Sequence, residues 1–162
     1  MTNPLPSGGF SGREAFEQLV RDALAAAAAE AWQEIILSDA TFLDWPLRER
    51  SVVESLQAWS GAGRRLIMLA HSYEDVLRYH ARFVSWRQMW GHIIDCRICP
   101  SVSPTDFPSA IWSPVWFMQR LDTQRCTGVC GDDRGHCVQL KEILSERTRN
   151  SSPGFAASTL GL

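Results

Sequence analysis

Along residues 16–27 the apolar side chains Phe16, Leu19, Val20, Ala23, Leu24 and Ala27 recur with the three-to-four-residue period of a helix that buries one face. Ser11 and Glu14 have the spacing of a capping box, so a first helix is expected from about Ser11 to Glu30. The rhythm then changes to a short β-branched run, Ile35-Ile36-Leu37, which predicts a buried strand over residues 34–38. Val52, Val53, Leu56 and Trp59 share one face of a second helix, residues 48–60, which Gly61 and Gly63 stop. A second strand is predicted over residues 65–70. Tyr73, Val76, Leu77, Phe83, Val84 and Trp90 then form one continuous stripe, the pattern of a single helix that also carries His80 and Arg87 on its apolar side.

Residues 93–98 read as a third strand, followed by a Ser/Pro-rich connection from Cys99 to about Pro114. Two adjacent strands, residues 115–121 and 125–129, are joined by an Asp122-Thr123-Gln124 turn, and a last helix is expected over residues 136–148. The order of elements predicts an α/β fold, a mixed sheet flanked by helices. The expected organisation is a flexible start (residues 1–10), a single domain (11–149) and a tail (150–162) that ends in Leu160-Gly161-Leu162.

Composition narrows the class. With 162 residues, 45% hydrophobic, and seven Trp and seven Phe to pack, the chain is long enough for a core without staples. Its opening residues lack a basic start and an apolar segment, and no stretch approaches the roughly 20 apolar residues that cross a bilayer, so a cytoplasmic protein with no membrane partner is expected. A net charge of −2 gives no global attraction to polyanions and argues against nucleic acid as a partner. Arg64-Arg65 and the Arg78, Arg82 pair, with Trp86 or Trp90 to stack bases, form the one local basic face to weigh against this, and a solvated helix face explains them equally well.

Five cysteines, an odd number, favour reduced thiols or metal ligands over a disulfide framework. Cys96 and Cys99, with Cys126, Cys130, Cys137 and His136, are the candidate zinc set, although strand geometry sends Cys96 and Cys99 to opposite faces and free cysteines are common in cores. No cofactor is expected otherwise. His80 and Arg87, two turns apart on an apolar stripe, place a guanidinium where it needs a carboxylate, the chain terminus or an anion; Asp44, Asp95 and Asp122 are candidate partners, and His71 could help form a phosphate contact. His71-Ser72 with His92 and Asp95 is a weaker acid/base set, because nothing in the sequence brings them together.

The succession of elements over residues 34–149, with a strand pair near its end, resembles one half of the phospholipase D-like fold. The Asp44-Trp45-Pro46-Leu47 turn, the segment from His80 to Arg87 and the Leu160-Gly161-Leu162 end resemble an uncharacterised bacterial family derived from that fold. In the superfamily a His-x-Lys-x4-Asp motif carries the chemistry. Aligned on Asp122, this chain has Phe117 in place of the lysine and Val115 in place of the nucleophilic histidine, so the resemblance implies a scaffold without its catalysis. It also implies a homodimer or another protein partner; His71, His80, Arg87 and Asp122 are the candidate anion-binding residues for a phosphorylated ligand. The expected function is thus a catalytically inactive binding or assembly module. The alternatives are a phosphodiesterase or phosphatase using a relocated histidine (His71, His80 or His92) and a zinc-binding adaptor.

Overall fold

The computed structural model describes residues 4–155. Its elements follow in the order β1 (Gly8–Ser11), α1 (Arg13–Glu30), β2 (Glu34–Ser38), α2 (Arg50–Trp59), β3 (Arg65–Ala70), α3 (Glu74–Tyr79), α4 (Ala81–Met89), β4 (Ile94–Ile98), a 3₁₀ turn (Pro104–Asp106), β5 (Ser109–Trp112), β6 (Phe117–Asp122), β7 (Thr127–Gly131), α5 (Arg134–Arg149) and β8 (Ser152–Pro153). All eight strands join one sheet in the order β1-β7-β6-β5-β2-β3-β4-β8. Strands β2, β3 and β4 are parallel, as helical crossovers require, and the pairings from β5 to β7 and at both edges are antiparallel. The α/β class with a mixed sheet flanked by helices is therefore the architecture of the chain.

Strand alternation builds two cores. Ile35 and Leu37 of β2, with Leu66, Met68 and Ala70 of β3, pack under α1 to α4, whereas Ile36, Ile67 and Leu69 meet Leu140 and Leu144 of α5 on the other face. A one-residue slip of either strand would exchange these sets.

Three expectations are corrected by backbone geometry. The first helix starts from Gly12, at φ 100°, with no side-chain cap from Ser11, because residues 8–11 are already committed to a strand against β7. The stripe from Tyr73 to Trp90 breaks into two helices at His80 (φ −118°, ψ 53°), whose ring is wholly buried and so pulled out of helical register. The connection from Cys99 to Pro114 contains β5, which inserts beside β2 and is paired on both sides. At the carboxyl end, residues 152–153 cover β4, and an added Cβ at Gly154 would lie 2.5 Å from Ile98 Cβ, so only glycine passes there. The Leu160-Gly161-Leu162 end lies outside the described residues. Among those residues no helix is long and apolar enough to cross a membrane.

Candidate functional site

At the carboxyl end of β2 the chain must turn away from the sheet. Asp39 makes that turn: its Oδ2 accepts from the backbone N–H of Thr41 at 3.2 Å and of Phe42 at 2.8 Å. Phe42 is thereby held at φ 59°, a left-handed conformation unusual for a bulky residue, and its carbonyl meets His80 Nε2 at 2.8 Å. The other carboxylate oxygen, Asp39 Oδ1, accepts from Arg120 Nη2 at 2.9 Å.

Arg120 comes from β6, whose alternation places it on the same side of the sheet as Met118, under α1. Only 5% of its surface is exposed. Its Nε donates to Ser109 Oγ at 3.1 Å, its Nη1 lies 3.4 Å from both Asp44 Oδ2 and the Cys126 sulfur, and its plane covers the Phe16 ring at 4.2 Å. Burial works against its charge, but the Asp39 carboxylate and the hydrogen bonds with Cys126 and Asp39 outweigh it, so the Arg120 pKa moves up and the group stays protonated.

Above this network lies a cleft of about 570 Å³, inside the range of small-molecule sites. Its walls are the Asp39–Asp44 turn, the 3₁₀ turn with Thr105 and Phe107, the β6–β7 turn with Thr123, Gln124, Arg125 and Cys126, and Arg13 at the start of α1. Strand β2 has a parallel neighbour on one side and an antiparallel one on the other, and the chain leaves it in opposite directions across the sheet. Open α/β sheets place their ligands at such a switch point, outside the carboxyl ends of the strands. Three guanidiniums, Arg13, Arg120 and Arg125, face two carboxylates there. Arg13 reaches Asp44 at 3.7 Å and Arg125 has no ion pair among the described residues, so the rim is net positive.

The residues singled out from sequence are scattered. His71 Nδ1 lies 2.9 Å from the Val102 carbonyl and ties down the connection after β4. His80 is buried beneath Phe42, and burial pushes its pKa down. Arg87 donates through Nη2 to the Phe155 carbonyl at 2.9 Å, beside a separate hollow formed with Asp95 and Cys96. Asp122 is exposed and accepts from the backbone N–H groups of Gln124 and Arg125, so it shapes the turn that walls the cleft. His92 stacks near Trp90 at the opposite end of the parallel strands. Asp44 pairs with Arg120 and Arg13, and Asp95 lies 3.8 Å from Arg97, so neither is the partner of Arg87 that the sequence suggested. Among the described residues, neither the cleft nor the hollow beside Arg87 brings His71, His80, Arg87 and Asp122 together.

The cysteines divide in the same way: Cys96, Cys126 and Cys130 belong to the core under α1 to α4, and Cys99 and Cys137 to the core under α5. Among the described residues no three Cys, His, Asp or Glu side chains gather as a metal would require. His136 instead stacks on Phe117 at 3.9 Å and meets Gln119. Sequence reasoning passed over Arg13, Arg120 and Arg125. The signal for Arg120 was its parity with the apolar Met118, which makes it an inward-facing arginine in need of carboxylates.

The sequence matches no family model and no curated protein. Among solved structures the fold is similar to TrmBL2, an archaeal chromatin protein whose structure shows a novel mode of DNA binding, with a TM-score of 0.67 at 15% identity. The match covers 94% of this chain and 56% of that protein, so the chain spans little more than half of its neighbour's length. This corrects two expectations. The resemblance to a bacterial phospholipase D-like family finds no support, and its degenerate motif has no standing as an explanation of Asp122. Net charge does not exclude nucleic acid either, since the fold is shared with a protein described for binding DNA, and the expected homodimer has nothing to carry it. What the chain shares with TrmBL2 is the fold.

Proposed function

We propose that this chain is a ligand-binding domain that performs no chemistry of its own, and that its cleft takes a small polar molecule bearing an anionic group. The observation that carries this is the state of the side chains around Arg120. Both oxygens of Asp39 are engaged, Asp44 bridges Arg13 and Arg120, and among the described residues no histidine lines the cleft to shuttle a proton near neutral pH. Arg13 and Arg125 remain at the rim to meet an anion, with Thr41, Thr105, Thr123 and Gln124 to meet hydroxyl or amide groups. His71, His80 and His92, the histidines named for a relocated phosphatase, face different parts of the molecule, which weighs against that alternative. The fold shared with TrmBL2, an archaeal chromatin protein described for DNA binding, supports a nucleic-acid-associated setting for such a domain.

Isothermal titration with inorganic phosphate, simple carboxylates and phosphorylated metabolites tests the proposal. Binding that weakens at least about tenfold, roughly 1.4 kcal/mol, in Arg125→Ala, an exposed residue, and is unchanged in Arg134→Ala on the far face supports it. Equal effects of the two substitutions, or turnover of a phosphate ester in the wild-type cleft, would overturn it.

A further inference from the structure

A second surface lies away from the cleft, on the outer side of α2 and α4. Arg50, Val53 and Gln57 of α2 and Arg82, Trp86 and Met89 of α4 border a shallow groove of about 380 Å³. These positions recur at helical spacing, so each helix presents one row to the groove. Met89 is 70% exposed although it is apolar. Arg82 donates to the Arg48 carbonyl at 2.9 Å, which brings a third arginine to one end.

The other end does not stop at the groove. Gln57 accepts from Trp90 Nε1 at 2.9 Å, and the Trp90 ring lies 5.6 Å from that of His92. His92 in turn borders a polar hollow of about 290 Å³ with Arg64 and Arg65, at the amino ends of the parallel strands. A continuous track therefore runs from Arg48, Arg50 and Arg82, past Met89 and Trp90, to His92, Arg64 and Arg65. The helix α2 alone gives it about 15 Å of length.

The charge along the track is one-sided. Its acids are Glu54, 3.3 Å from Arg50, and Asp95, which lies near Arg97. Against them stand five arginines on a chain whose net charge is −2, so the rest of the surface carries the negative excess. Every basic residue of the track is an arginine or histidine. Lys141, the chain's single lysine, pairs with Glu34 elsewhere. Guanidinium suits phosphate because it is always charged and donates along a fixed planar edge. The cations are strung along a line and do not ring one pocket, as suits a partner whose own charge is strung along a line.

We infer that this arginine track docks duplex DNA through its phosphate backbone, with the apolar side chains of Val53 and Met89 lying against sugars and contributing no sequence readout. The inference is independent of the cleft, which lies at the opposite ends of β2 and β3. Fluorescence anisotropy of a labelled duplex of arbitrary sequence, titrated with the full chain at several salt concentrations, tests it.

The expected result is binding at low salt that falls steeply as salt rises. The triple change Arg50→Ala, Arg65→Ala, Arg82→Ala should lower the slope of log K against log salt by about 0.9 for each phosphate left without its arginine, so by about 2.7 in all. Arg134→Ala with Arg149→Ala on α5 should leave the slope unchanged. All five side chains are exposed, so both variants keep the fold, which circular dichroism checks. No binding at low salt, or equal losses in the two variants, would overturn the proposal. So would a polyglutamate peptide bound at the track as tightly as the duplex, which would make an acidic protein the partner.

Discussion

Arg120 and Arg87 are buried to the same degree, 5% and 6% exposed, on the same side of the sheet, yet their surroundings have little in common. All three nitrogens of Arg120 have partners, two of which are carboxylates, and an aromatic ring covers its plane. Arg87 has one carbonyl, from Phe155, and a more distant ring; its Nε and Nη1 have no hydrogen-bond partner among the described residues. The nearby Cys96 thiol does not supply the missing charge. Burial pushes its pKa up to about 11, even though Arg87 pulls the other way, so it is a neutral thiol at physiological pH. Arg120 is thus a partner on which Asp39 and the cleft depend, and Arg87 is a buried charge on which the described residues place little demand.

Substitution should separate the two. Arg120→Met strands Asp39 in the core, and losing one member of a buried ion pair costs about 3–5 kcal/mol. An unfolding free energy lowered by that much, read from denaturant unfolding, with ligand binding at the cleft abolished, is the expected outcome. A loss below about 1 kcal/mol would mean that water reaches Asp39 and that the contrast is false.

His80, seven residues before Arg87 on the same stripe, gives an intermediate effect that depends on pH. Its Nδ1 has no hydrogen-bond partner among the described residues, its Nε2 faces the Phe42 carbonyl, and burial holds its folded-state pKa below 6.5. Below about pH 6.5 the unfolded chain takes up a proton that the folded one refuses, so this contribution is whole above that pH and is lost as pH falls. The slope cannot exceed about 1.4 kcal/mol per pH unit for one proton. Urea denaturation between neutral and mildly acid pH should show it, and His80→Gln should flatten the dependence by one proton.

Arg87→Met is expected to be smallest, within about 1 kcal/mol in either direction, since a hydrophobic side chain of similar volume often replaces an under-paired buried charge without loss. An effect as large as that of Arg120→Met would show that Arg87 has a partner of equal strength.

Much of the fold is legible in the sequence, and the failures have local causes. Strands at residues 34–38 and 65–70 are readable because both faces are buried and the apolar run is unbroken. The break at His80 is invisible, because the apolar stripe keeps its period across it while a buried imidazole, held by a carbonyl of another loop, overrides it. Strand β5 is hidden because Ser109 and Ala110 carry no β signal and prolines flank the segment; pairing on both sides supplies what propensity does not. At the site, the motif reading centres on Asp122, two residues from Arg120. A shift of register between them puts one in the solvent-exposed turn and the other in the core. Asp39 reads from the sequence only as a loop residue, and Asp44 as a loop residue and a candidate partner of Arg87, not of Arg120. Their roles need the far strand to be in place.

That dependence has a meaning in time as well as in space. Asp39 and Arg120 are 81 residues apart, and β2 waits for β5, far along the chain, to fill its second side. Contacts so distant in sequence carry a large loop-closure cost before they yield anything. A nascent chain that has emerged only as far as α4 can assemble a helical layer over parallel strands, but it holds half a cleft and an unpaired Asp39. The binding competence proposed for the cleft thus arrives only with the β6–β7 hairpin.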